Sequence, residues 1–409
     1  MMLARDLRPE IRWLAGGFLL TLCSAFGQTY FIAIFAGHLK AELAMSDGQF
    51  GSLYTIGTLA SAALLTWAGK FADRFPIRWL GAGMLAGLAV TALAMAAVAS
   101  PWMLVFVLFG LRFFGQGMLT HVAMTAMGRW FNRKRGRAVS IAGLGFPVSE
   151  AVLPMIAVTL IGLIGWRMSW VAASVALLVV AIPVLIALLW WERIPTAGPA
   201  VPNSHGEVDP IRREWTRGEV LGSPLFYALM PGVLAPAFIM TGIFFNQVPL
   251  VAVKGWDLSW FAASFPVLAG VNILSALAAG WMVDRFGARR LLPAFLLPLG
   301  AAACVLAYAA DPYILPVAMA LIGLTAGSAS TIQGALWAEL YGTEHLGAIR
   351  AVAMAGIVFA SALSPGLIGV LMDAGVALET QLLALGLYCL AAAIWMRLLT
   401  SRLDRLAAG

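Results

Sequence analysis

Gly69-Lys70-Phe71-Ala72-Asp73-Arg74-Phe75-Pro76-Ile77-Arg78 reads G-x-x-x-D-R-F-x-x-R, and 211 positions later Gly280-Trp281-Met282-Val283-Asp284-Arg285-Phe286-Gly287-Ala288-Arg289-Arg290 repeats it. Each copy ends one long apolar segment and precedes another. A charged hairpin turn recurring inside an apolar chain points to duplication of a membrane-embedded unit.

Composition agrees. Of the 409 residues, 62% are hydrophobic and 11% charged, with a mean hydropathy of +0.91. A soluble domain carries about 25% charged residues, so most of this surface must face lipid. The apolar stretch from Trp13 to about His38 follows Arg5, Arg8 and Arg12. It is too long for the roughly 7–15-residue core of a cleavable signal and reads as the first span. Spans need about 20 apolar residues. Twelve segments qualify: 13–38, 50–69, 79–99, 102–127, 138–164, 168–191, 224–250, 259–282, 291–310, 314–338, 351–374 and 379–400. The longest polar stretch, from Glu192 to about Ser223, divides them six and six. The expected domains are therefore an N-terminal six-helix bundle (1–191), a cytoplasmic central loop (192–223) and a C-terminal six-helix bundle (224–409).

The net charge of +7 reports topology. Alternate loops and the two ends hold 22 Lys and Arg residues, and the intervening loops hold only Lys40, Arg167 and Lys254. The positive-inside rule puts both termini in the cytoplasm, with the inner (plasma) membrane of a bacterium as the expected location. Basic charge so placed argues against a nucleic-acid partner. Cys23, Cys304 and Cys389 lie inside apolar segments without disulfide or metal spacing, so packing is their expected role. No Walker-type phosphate loop, metal cluster or nucleophile–base pair is present, so neither an enzyme nor a cofactor or metal is expected.

The doubled turn resembles the loop signature of the major facilitator superfamily, found between spans two and three and again between eight and nine. That resemblance implies an all-α membrane protein of twelve transmembrane helices in two pseudo-symmetric bundles. It also implies that Asp73, Arg74, Arg78, Asp284, Arg285 and Arg289 latch a cytoplasmic gate. A carboxylate at such a turn can face the positive end of a neighbouring helix, worth about 0.3–1 kcal/mol. The loop Arg129-Trp130-Phe131-Asn132-Arg133-Lys134-Arg135-Gly136-Arg137-Ala138 is similar to that of the monocarboxylate and oxalate/formate transporters, as are Gly143, Gly145, Pro154 and Gly165-Trp166-Arg167. Those carriers place a cation in the eighth or eleventh span. Here the eighth offers Asn272 and the eleventh Ser361, Ser364 and Pro365.

Two charges fall near mid-span: Arg112 in the fourth segment and Glu150 in the fifth. An arginine at a helix centre costs roughly 2.5–3.5 kcal/mol on insertion scales, so each needs a partner or a wet cavity. At about 1.5 Å per residue both come close to mid-depth, and an Arg112–Glu150 pair is geometrically plausible. Three uses compete. The pair could neutralise itself and fix helix register. Arg112 could receive an anionic substrate that Glu150 releases. Or Glu150 could take up a proton and thereby free Arg112. Arg112-Phe113-Phe114-Gly115-Gln116-Gly117 also resembles the superfamily's fourth-span motif, whose arginine is linked to proton transfer.

Gln116 follows Arg112 by one turn and shares its face. Gln28 and Tyr30 in the first span, Asn246 in the seventh and Asn272 in the eighth are the neutral cavity candidates. His121 is expected to pack between helices, as is the small-residue face of Gly323, Gly327, Ser330 and Gly334. The expected activity is secondary active, proton-coupled transport of a small organic anion by a monomer. Export of cationic or amphipathic compounds, with Glu150 as counter-charge, is the alternative, and a non-transporting sensor a further one.

Overall fold

The helix ends are dictated by the residues that interrupt the apolar runs. Ser100 caps Pro101–Gly110, its side chain accepting from the Met103 N–H at 3.2 Å with proline in the first turn. Asp257 caps Leu258–Phe286 through the Ser259 N–H at 2.7 Å, immediately after Gly255 has ended Gln247–Lys254 in the left-handed region. Thr216 and Glu219 form a reciprocal capping box before Arg217–Leu221. The computed structural model describes residues 10–131, 135–191, 214–342 and 345–408, with the side chains at 73, 135, 136 and 402–408 outside that description.

Every regular element among the described residues is helical, and nine helices are long and apolar enough to cross a bilayer. One of them, 137–188, carries two of the expected spans, because Gly165 (φ 80°, ψ 162°) turns the chain inside Gly145–Val175. Asp47–Ala68 and Leu297–Tyr308 supply the segments needed for twelve. Large apolar side chains stand outward, among them Trp102, Phe106, Leu163 and Leu277. That surface requires lipid, so the chain is an integral membrane protein.

The described residues fall into two units, one within 1–45 and 52–207 and the other within 46–51 and 208–409. Of the expected central loop, only the part from Glu214 onward is described.

The sixth span of the first unit carries a π-helical stretch at Ala176–Ala181, and the first and fourth spans are irregular where they meet. The first span runs as Ile11–Cys23, a 3-10 turn Ser24–Gly27, an extended Gln28 (φ −81°, ψ 150°), then Thr29–Ile34 and Ala36–Glu42. The fourth runs as Pro101–Gly110, a π-helical stretch Leu111–Leu119, then Thr120–Trp130. The two irregularities lie against each other. A Cβ on Gly27 would meet the Leu111 carbonyl oxygen, the Gln116 nitrogen at 2.7 Å and the Gly115 Cα at 2.8 Å. Glycine on both sides lets the two backbones touch. Arg167, after the bend, donates to the Ala96 and Val98 carbonyls and pairs with Glu42 at 2.5 Å.

In the second unit the small-residue face acts as expected at Gly323 and Gly327. A Cβ on Gly323 would stand 2.7 Å from the Leu268 carbonyl oxygen, and one on Gly327 would meet that of Asn272. Ser275 donates to the Leu324 carbonyl across the same seam at 2.6 Å. Gly334 faces nothing within 4 Å. Asp373 accepts from the Ser46 hydroxyl at 2.6 Å and the Gly48 N–H at 3.0 Å, holding Ser46–Gly51 in this unit. Lys254 donates to the Ala307 carbonyl at 2.7 Å and lies 3.9 Å from Glu379.

Candidate solute and coupling site

The break in the first span creates the site of Arg112. With Gln28 extended, the Gly27 carbonyl leaves the helical ladder, and the Arg112 Nη1 donates to it at 3.1 Å and to Thr29 Oγ1 at 3.3 Å. The guanidinium lies 5.3 Å from the centroid of the Tyr54 ring, and Thr29 Oγ1 is 2.6 Å from the Tyr54 hydroxyl. A carbonyl dipole, a hydroxyl and a π face thus surround the cation, and all three are neutral. Arg112 is buried, at 3% exposure.

Among the described residues no ion pair joins Arg112 to Glu150, so the plausible pair does not form. The cause is local. The π-helical stretch and the glycine contact hold the fourth span against the broken first one, where an acceptor is already present. Glu150 lies on the fifth span beside Ser149, whose hydroxyl is 3.2 Å from the Tyr30 hydroxyl and donates to the Phe146 carbonyl at 2.8 Å. Among the described residues Glu150 has neither a hydrogen bond nor an ion pair. It is half-buried, and its oxygens are not among the sealed polar atoms.

Gln28 and Gln116 are likewise half-buried with no side-chain partner among the described residues. They adjoin the Gly27–Gly115 contact and so lie together. Of the expected cavity residues in the first unit, Gln28, Gln116 and Glu150 therefore remain uncommitted, and Arg112 and Tyr30 are engaged. In the second unit Asn246 is buried and its Nδ2 donates back to the Gly242 carbonyl at 2.8 Å, whereas Asn272 is half-buried. Ser361 pairs with Thr241 at 2.8 Å.

The two D-R-F turns differ. In the first, Arg78 donates to the Trp190 carbonyl at 2.7 Å, Arg129 to the Ala72 carbonyl at 2.7 Å, and His121 Nε2 lies 3.0 Å from the Gly69 carbonyl oxygen. Arg74 is exposed, and the Asp73 side chain lies outside the described residues. In the second, Arg285 covers the Trp281 and Phe286 rings at 5.4 and 5.5 Å. Asp284 is exposed with no partner among the described residues. The acceptor is Glu339 at the end of the tenth span, which takes the Ala288 N–H at 2.7 Å and the Arg289 N–H at 3.3 Å. Glu339 was missed in the sequence, although it is the last acid of its apolar segment and Gly342 soon ends the helix. Tyr54 was missed too, as a lone phenol among apolar neighbours.

The family model described as Major Facilitator Superfamily matches residues 17–279 and again 259–407. The chain belongs to this superfamily. The first match contains the signature at 69–78 and the second its copy at 280–290. The MFS transporter asaE of Aspergillus flavus is 24% identical over 346 residues, covering 82% of this chain and 74% of that protein. Among solved structures, a bacterial homolog of the human lysosomal transporter Spinster superposes with a TM-score of 0.72 at 16% identity, covering 95% of this chain and 96% of its own. The nucleoside transporter NupG superposes with a TM-score of 0.70 at 14% identity, covering 95% and 98%. At those identities the likeness is one of fold. A major facilitator transporter, not an enzyme, is what these relatives indicate.

Proposed function

We propose that this major facilitator protein is a proton-driven secondary transporter whose first unit meets its solute through Glu150, with Gln28 and Gln116 as neutral contacts. One observation carries the proposal: Arg112 is spent on Gly27, Thr29 and Tyr54, while Glu150 is half-buried with neither a hydrogen bond nor an ion pair among the described residues. A half-buried carboxylate favours a cationic or amphipathic solute, and the same group can carry the coupling proton when no solute is bound. Rocking of one six-helix half against the other would expose this site alternately to each side. The protein works as a monomer in a bacterial inner membrane with both termini in the cytoplasm.

A small organic anion, expected from the monocarboxylate-like loop, requires Arg112 to leave its cage and meet the solute. The Arg112 Nε is sealed, which counts against that route. The test is a thermal-shift screen of purified protein against carboxylates, sugars, nucleosides, amino acids and lipophilic amines, since a ligand stabilises the state it binds. Stabilisation by amines that Glu150→Gln abolishes is the expected result. Stabilisation by carboxylates that survives in Glu150→Gln would overturn the proposal.

A further inference from the structure

Three helix ends of the first unit meet around two arginines. The sixth span ends with Ile182–Leu188, and the carbonyls of Trp190 and Trp191 just beyond it accept from side chains of two other spans. Arg78, at the start of Ile77–Ala96, donates from Nη1 to the Trp190 carbonyl at 2.7 Å. Arg12, at the start of Ile11–Cys23, donates from Nη2 to the Trp191 carbonyl at 3.4 Å, and the Trp13 indole N–H gives the same oxygen a 3.0 Å bond. Two guanidiniums therefore share one helix end, on adjacent residues whose Cα atoms are about 3.8 Å apart.

Indole rings wall the same place. The Arg12 guanidinium lies 4.3 Å from the Trp13 ring centroid and 5.5 Å from that of Trp191, and the Arg78 guanidinium lies 5.2 Å from Trp79 and 6.0 Å from Trp190. Trp79 and Trp190 are each 54% exposed and Trp191 68%, so these rings do not fill the interior of the unit. Tryptophan at a span end sits at headgroup level, and the distribution of basic residues assigns this end to the cytoplasmic leaflet.

The charge is unbalanced. Neither arginine has an ion pair among the described residues, and both hydrogen-bond only to neutral carbonyls there. A helix C-terminus carries about −0.5 charge, which offsets only a fraction of two cations. Arg78 Nε is sealed, but Arg78 Nη2 and the Nη1 and Nε of Arg12 are not among the sealed atoms and can reach an outside acceptor. A phosphodiester matches both features: its oxygens take the guanidinium forks, and the acyl chains beyond it lie on the indole faces. A free phosphate ion would use the arginines and leave the exposed rings uncovered. We propose that Arg12, Arg78, Trp79, Trp190 and Trp191 form a headgroup site for an anionic phospholipid of the cytoplasmic leaflet, such as phosphatidylglycerol. The bound lipid ties the starts of the first and third spans to the end of the sixth, and the site is independent of the solute reading at Glu150.

The experiment measures lipid binding to the purified full-length protein in mild detergent by native mass spectrometry, with thermal unfolding alongside. Short-chain phosphatidylglycerol, phosphatidylcholine, phosphatidylethanolamine and inorganic phosphate are the probes. Phosphatidylglycerol should be retained as a discrete one-lipid adduct and raise the unfolding midpoint. The two zwitterionic lipids should do so more weakly, and phosphate should do neither. Arg12→Gln is the working variant, because its carbonyl bond is the longer of the two and the fold depends on it least. It should weaken phosphatidylglycerol binding roughly fivefold. Arg78→Lys keeps the charge and loses the fork, so it should bind more weakly than wild type. Arg350→Gln removes an exposed cation from the second unit and should leave the affinity unchanged. Equal retention of phosphatidylglycerol and phosphatidylcholine, or equal losses in Arg12→Gln and Arg350→Gln, would overturn the inference. Stabilisation by phosphate equal to that by phosphatidylglycerol would overturn it as well, since the rings would then have no part in binding.

Discussion

Replacing Gly27 by alanine should unseat the first span from the fourth and release Arg112. The added methyl would run into the Leu111 carbonyl oxygen, and it would stand 2.7 Å from the Gln116 nitrogen and 2.8 Å from the Gly115 Cα. All three are backbone atoms, so no side-chain rotation relieves the clash and the helices must separate. Overpacking of this kind costs about 1–3 kcal/mol. The same movement lengthens the 3.1 Å bond from Arg112 to the Gly27 carbonyl, and a hydrogen bond to a charged group contributes about 1.5–3 kcal/mol. The two effects share one displacement, so they do not add fully, and roughly 2–5 kcal/mol is expected. In a unit of this size that corresponds to a fall in Tm of about 5–15 °C. Gly83→Ala is the control, since a Cβ there meets nothing within 4 Å. Alanine in a helix interior should leave stability unchanged or raise it by about 0.5–1 kcal/mol. The assay is detergent-solubilised thermal unfolding of both variants side by side. A Gly27→Ala protein as stable as the control would refute the tight contact and, with it, the cage around Arg112.

Three further outcomes follow from single contacts. Glu339→Ala strands the N–H of fully buried Ala288 and should cost about 1–3 kcal/mol, whereas Asp284→Ala, exposed and without a partner among the described residues, should change stability by less than about 0.5 kcal/mol. Equal losses in thermal unfolding would contradict the assignment of Glu339 as the acceptor. Asp257→Ala removes an N-cap and should cost about 0.5–2 kcal/mol, toward the lower end because the residue is exposed. Hydrogen bonds from Ser259 hold the Asp257 carboxyl below its ordinary range, so its contribution is complete above the unfolded pKa and is lost as pH falls through the folded value. The stability difference between wild type and Asp257→Ala should therefore shrink as pH is lowered below about 4, and a constant difference would exclude the carboxylate as the cap.

Much of the architecture was legible because it depends on composition over long windows. The doubled D-R-F turn, the twelve apolar runs and the small-residue face at Gly323 and Gly327 each express a pattern longer than any one contact. The site was less legible, because it depends on where a helix fails. Ser24–Gln28 contains no proline, and Leu111–Leu119 carries Arg112 and Gln116 in a run whose hydropathy does not distinguish a π-helical stretch from a regular helix, so hydropathy alone could not announce either irregularity. Their consequence is large: the freed Gly27 carbonyl takes Arg112 and dissolves the plausible pairing with Glu150. Likewise the two signature turns look equivalent in sequence, yet the second is closed by a carboxylate arriving from a distant span. Depth along a helix can be counted from sequence; the direction a charge faces depends on neighbours that sequence separation hides.

The central claim is that Glu150, not Arg112, is the charge offered to the solute. Proteoliposomes containing wild type, Glu150→Gln or Tyr54→Phe, loaded with the best stabilising compound and subjected to an imposed pH gradient, test it most directly. The account predicts gradient-driven movement of an amine by wild type, its loss in Glu150→Gln, and reduced but measurable movement in Tyr54→Phe, which loosens the Arg112 cage and keeps the carboxylate. Undiminished gradient-driven transport by Glu150→Gln would contradict it.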